Sequence, residues 1–90
     1  MKTWIIHNKT VPEEILRLLS TDLDPSVRWG VANKRKCPND ILAILAKDSD
    51  ESVRLRVANN PKVTREILET LTTDSWDKIV RVSKSRLDRL

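Results

Sequence analysis

At 90 residues the chain is sized for one domain, residues 1–90, near the low end of what folds alone, with roughly two thirds of its surface available for burial. Apolar residues make up 39 % and charged residues 33 %; with three Trp and no Phe or Tyr the core has to be aliphatic, and one Gly with four Pro argues against a turn-rich β protein. The formal net charge of +4 admits nucleic acid, a membrane surface or an acidic protein as partner, or serves solubility alone.

In chain order, residues 2–8, with Trp4, Ile5 and Ile6, read as half of a helical unit. Their apolar run is too short for a signal peptide, so the cytoplasm is the expected location. A first helix, type A, is predicted from Pro12 to about Ser20. Proline suits a first turn, Glu13 and Glu14 suit the positive end of the dipole, and Ile15, Leu16, Leu18 and Leu19 form a broad apolar stripe. A shorter helix, type B, starts at Asp24 and Pro25, an acidic cap followed by proline. Val27 and Val31 sit one turn apart, and Ala32 allows close approach. Gly30 costs about 1 kcal/mol against alanine, so either that helix is one or two turns long or something packs on its backbone. Asn33 ends it, as a residue that tolerates the left-handed conformation. The scheme returns with helix A over Pro38 to Ala46, and with helix B from Asp50 and Glu51 to Asn59, where Pro61 forbids continuation. It returns again with helix A over Arg65 to Thr72. Beyond Ile79 the pattern slips, and Val80-Arg81 matches Val53-Arg54 only if one residue is inserted. Residues Asp77 to Leu90 then read as one longer, highly charged closing helix.

The copies align at a spacing of 26: Val11, Cys37, Val63; Ile15, Ile41, Ile67; Leu16, Leu42, Leu68; Leu19, Leu45, Leu71; Asp22, Asp48, Asp74; Val27, Val53, Ile79. Apolar positions recurring at such a period are the signature of a solenoid, whose terminal units differ from the middle. The expected fold is all-α: an α-solenoid of about three 26-residue two-helix repeats, with an N-terminal half repeat and a C-terminal capping helix. No segment has the length of a transmembrane helix. Cys37 is alone, which excludes an internal disulfide and a multi-cysteine metal site, and at an apolar repeat position it reads as a small buried hydrophobe.

The stretch Asp48-Ser49-Asp50-Glu51-Ser52-Val53-Arg54-Leu55-Arg56-Val57-Ala58-Asn59-Asn60-Pro61, with the return through Glu66-Ile67-Leu68 to Leu71, resembles the leucine-rich repeat variant family, which is akin to HEAT repeats. The resemblance covers about residues 4–82. It implies alternating α and 3₁₀ or short α helices wound into a right-handed superhelix. One type in that family holds an iron–sulfur cluster on several cysteines, and the single cysteine here does not carry that feature over. The family implies no one activity.

Two polar constellations stand out. Asp22 and Arg28 are six apart, as are Asp48 and Arg54, while Asp74 and Arg81 are seven apart. This is either an arginine ladder that grips phosphates or carboxylates, or a structural ladder in which each Asp pairs with an arginine of its own or the next repeat. The structural reading is the expected one, since HEAT-like arrays look built that way. Arg56, without an acidic equivalent nearby, is the freer arginine. The second constellation is an edge. Turns from B to A carry Lys9, then Lys34, Arg35 and Lys36, then Lys62, whereas turns from A to B carry Asp22, Asp24, Asp48, Asp50 and Glu51. One edge should be basic and the other acidic. The basic edge, Lys9, Lys34, Arg35, Lys36 and Lys62 with Arg56, is the candidate binding edge. Arg81, Lys84, Arg86 and Arg89 are the next cations to consider. Lys34-Arg35-Lys36 could touch phosphate or could complement a helix C-terminus.

Catalysis has little support. His7 is the only histidine, and the chain has no Ser–His–Asp order, metal-ligand cluster or Gly-rich phosphate loop. The expected function is a non-catalytic module for protein–protein interaction, without cofactor or metal and without a membrane. The alternative is weak nucleic-acid binding through the basic edge.

Overall fold

The computed structural model describes residues 12–89. Among these residues the chain is all-helical and has no strand. The helices are α1 (Glu13–Leu19), α2 (Pro25–Ala32), α3 (Asn39–Leu45), α4 (Glu51–Ala58), α5 (Arg65–Leu71) and α6 (Asp77–Asp88). Type A segments give α1, α3 and α5, and type B segments give α2, α4 and α6. The half unit at residues 2–8, His7, Lys9, Val11 and the terminal Leu90 lie outside the described residues.

Local chemistry sets the ends. Asp24 caps α2 by accepting from Ser26 N at 2.9 Å, and Asp50 caps α4 by accepting from Ser52 N at 2.8 Å. Thr64 does the same for α5 through Ile67 N at 3.3 Å. Pro12 and Pro38 precede α1 and α3 in extended conformation, one residue outside the helix rather than in its first turn. Asn33 and Asn59 end their helices without the left-handed conformation expected of them: their φ angles are −76° and −95°, and the described residues include no positive φ. The chain leaves each helix through further turns instead, with Lys34 N donating to Val31 O and Asn60 N to Val57 O, both at 3.1 Å. The second helix has eight residues, about two turns, and buries Gly30.

The core follows the 26-residue register. Leu16, Leu42 and Leu68 are buried, as are Leu19, Leu45 and Leu71, and Val27, Val53 and Ile79. Burying each such side chain stabilises by about 1.5–3 kcal/mol, before the entropy of ordering the chain is counted. Cys37 and Val63 fill equivalent buried positions. Each A helix packs on the B helix that follows it, and the B helices also pack on one another, α2 on α4 and α4 on α6. Small residues at the contact, Ala32 and Ala58, are fully buried and permit this approach.

The end of the chain departs from the inserted-residue reading. Ile79 keeps the buried register without a slip, so Val80 stands where Arg28 and Arg54 stand in earlier copies. Ser83 takes the place of Val31 and Val57 and is fully buried.

Candidate functional site

The Asp–Arg constellation is formed, with partners one copy further along than a spacing of six indicates. Arg28 on α2 forks onto the carboxylate of Asp48, with Nε to Oδ2 at 2.7 Å and Nη2 to Oδ1 at 3.0 Å. Its Nη1 donates to the backbone carbonyl of Asp22 at 2.7 Å. Arg54 repeats the pattern on Asp74 at 2.8 and 3.3 Å, with Nη1 on Asp48 O at 2.7 Å. Asp48 and Asp74 each accept a backbone N–H as well, from Asp50 and Trp76. These side chains are 7–14 % exposed. The hydrogen bond that Arg28 donates to Asp48 raises the Arg28 pKa above its ordinary value. All three nitrogens of both guanidiniums are engaged inside the protein, which leaves little with which to grip a phosphate. Arg81 does not belong to this set. It pairs with Asp77 on its own helix at 2.7 Å, exposed to solvent, and not with Asp74. Val80 holds the ladder position, 26 residues after Arg54.

A second set of cross-links, not anticipated from sequence, runs along the other end of the B helices. Asn60 Nδ2 donates to Ala32 O at 2.7 Å and Lys34 O at 3.0 Å. Twenty-six residues on, Arg86 Nη1 donates to Ala58 O and Asn60 O, both at 2.7 Å. Carrying the register from Lys34 through Asn60 to Arg86 is the signal that finds this set.

The basic edge is partly assembled. Arg35, Lys36 and Lys62 come together around a shallow hollow of about 580 Å³ with Cys37, Pro38 and Asn39. Burial lowers the pKa of the half-buried Lys34, which lies next to this hollow in sequence and outside its lining. Near the hollow, Asp40 is held by Arg17 at 2.6 Å, which keeps its carboxyl below the usual range. Arg56 is not among the hollow's lining residues. Its guanidinium sits 5.9 Å from the ring centre of Trp29 on α2 and donates through Nη2 to Asn59 O at 2.9 Å.

A second hollow, of about 420 Å³, opens between α4 and α6. Asn59, Arg81, Val82, Ser85, Arg86 and Arg89 line it. Burial, and the positive charges of Arg56 and Arg89, lower the Arg86 pKa. Val82 lines this hollow, Leu55 and Val82 are partly buried against the core, and Trp29, 37 % exposed, stands 26 residues before Leu55 in the register that leads to the lining residue Arg81.

Among the described residues no helix is long and apolar enough to cross a membrane, and no group of three His, Cys, Asp or Glu could hold a metal ion. No family model matches this chain, and no curated protein or solved structure matches it.

Proposed function

We propose that the chain is a right-handed α-solenoid of 26-residue repeats, closed by α6, that acts as a non-catalytic protein-binding module in the cytoplasm. The binding surface is the face made by the side-by-side B helices α2, α4 and α6. The observation that carries this is the half-exposed Trp29 with Arg56 stacked on it, on the same side as the arginine-lined hollow. Tryptophan and arginine are the side chains that anchor interfaces, because they supply apolar area and directed donors together. The ladder arginines are spent on structure, which leaves the B-helix face and the edges for recognition. The 26-residue register of both core and cross-links supports the repeat architecture.

Panning a displayed peptide library on the full chain tests this reading. Selected peptides should bind the native protein and lose binding to Trp29→Ala and Arg56→Ala variants that melt normally. Peptides that bind those variants equally well would put the interaction elsewhere.

A second reading has its own observation, the convergence of Arg35, Lys36 and Lys62 on one hollow. It is weak, salt-sensitive association with DNA or RNA, at most micromolar, since few cations beside Asp40 and Glu66 cannot read sequence. Titrating labelled duplex at low and physiological salt separates the two. Nanomolar binding that survives physiological salt would put nucleic acid first.

A further inference from the structure

Cations without a carboxylate partner converge at the C-terminal end of α4. Arg17, Arg28, Arg54, Arg65 and Arg81 each have a carboxylate within 4.0 Å. Among the described residues Arg56, Arg86 and Arg89 have none, and neither does Arg35, which lines the other hollow. Arg56 and Arg86 both donate to carbonyls at and just past the end of α4: Arg56 to Asn59 O, Arg86 to Ala58 O and Asn60 O. Arg89 follows Arg86 by three residues, about one turn of α6, and lines the same hollow.

A bland account is that these arginines complement the negative end of the α4 dipole. The magnitudes go against it. A helix C-terminus carries about half a negative charge, and three full positive charges surround this one. Capping also needs no charge, because Asn60 does the same work on Ala32 O and Lys34 O with a neutral amide. In Arg86 the capping occupies Nη1 alone. Among the described residues Nε and Nη2 make no hydrogen bond, and Arg56 Nε is buried with no partner. Unpaired, crowded guanidiniums repel one another, and a bound anion relieves that repulsion.

Resting on the protein-binding reading above, we propose that the α4–α6 hollow is an anion-recognition site that takes the carboxylate side chains of an acidic linear peptide. Arg86 and Arg89 supply donors for the carboxylates, and Asn59 and Ser85 add neutral ones. Trp29, Leu55 and Val82 offer apolar contact to the flanking side chains. The charge layout selects a short acidic segment over a long polyanion. The N-terminal ends of α2 and α4 carry Asp24, Asp50 and Glu51, about 12 Å from the arginine end. A nucleic-acid strand lying along this face would run into those carboxylates, whereas a peptide with acids at one end does not.

The test is fluorescence anisotropy of a labelled Gly-Ser peptide carrying four consecutive glutamates, titrated with the full chain. The matching glutamine peptide and a labelled single-stranded DNA serve as competing probes. The glutamate peptide should bind and the glutamine peptide should not. Arg86→Gln with Arg89→Gln should weaken binding about tenfold or more, and Arg35→Gln with Lys36→Gln should leave it within about twofold. If loss of the Arg86 cap unfolds the protein, Arg56→Gln with Arg89→Gln carries the same expectation. Equal binding of the two peptides, or loss only in the Arg35 and Lys36 variant, overturns the site. DNA binding tighter than the glutamate peptide, and lost in the Arg86 and Arg89 variant, overturns the peptide class. Peptides selected by panning that depend on Trp29 but not on Arg86 or Arg89 leave the protein-binding reading standing and remove the anion site alone.

Discussion

Arg54 grips the carboxylate of Asp74, 20 residues ahead, while its third nitrogen holds the carbonyl of Asp48, six residues back. One side chain therefore ties two successive A-to-B turns together, and Arg28 does the same one copy earlier. The pair is largely buried and bidentate, and each partner makes further hydrogen bonds, which is the condition under which a buried ion pair offsets its desolvation.

Asp48→Asn should therefore destabilise the fold by about 1–3 kcal/mol, since Arg28 keeps its charge and loses its counterion. Urea unfolding measures this. A double-mutant cycle of Arg54→Gln with Asp74→Asn should return a coupling of about 0.5–3 kcal/mol. Unchanged stability together with a lost binding activity would assign the ladder to recognition instead.

Ser83 is fully buried, and its hydroxyl has no hydrogen-bond partner. Valine holds the equivalent position in both earlier copies, at Val31 and Val57. Ser83→Val should stabilise the protein by about 1 kcal/mol, by removing an unsatisfied buried hydroxyl and restoring apolar packing. A lower urea midpoint in this variant would mean that the α6 packing has no room for the extra methyl group.

Much of the helical layout was legible because the signals are local. Asp24 and Asp50 mark the starts of α2 and α4 to the residue, and the apolar register from Leu16 to Leu68 identifies the buried side. The ladder partners were not legible, because a spacing of six within a copy and one of 20 to the next add up to the same period. Sequence alone cannot say which of the two carries the side-chain pair. The slip at Arg81 has a related cause: Val80-Arg81 imitates Val53-Arg54 in sequence, while Arg81 pairs with Asp77 on its own helix. The Asn60 and Arg86 cross-links use chemically different side chains for one geometric task, so similarity of residue type does not reveal them.

The thiol of Cys37 is pushed up to about 12 by burial, and Sγ lies 3.7 Å from Pro38 O. Each unit of pKa costs a tenfold fraction of thiolate. Alkylation by iodoacetamide near neutral pH should therefore be roughly a thousandfold slower in the native protein than in urea. Mass spectrometry of the two time courses checks this. Because the folded value is raised, the stability this group contributes is intact below its ordinary titration range and is lost as pH rises toward 12.

Asp40 works in the opposite direction. The hydrogen bond from Arg17 holds its carboxyl below the ordinary range, so the stability it contributes is present above the unfolded carboxylate value and is lost as pH falls through the folded one. The pair is exposed and salt screens it. In Arg17→Gln the Asp40 titration followed by NMR should move up to the ordinary carboxylate range, with little change in melting temperature. An unmoved titration would assign the depression to the backbone of α3.

The most direct measurement of the central claim is an amide chemical-shift titration of the full chain with a peptide selected by panning. The account predicts perturbations concentrated on α2, α4 and α6, around Trp29, Arg56, Asn59 and Ser85, with the turn at Arg35 and Lys36 unmoved. Perturbations confined to that turn and Lys62, or to the outer residues of α1, α3 and α5, would contradict it.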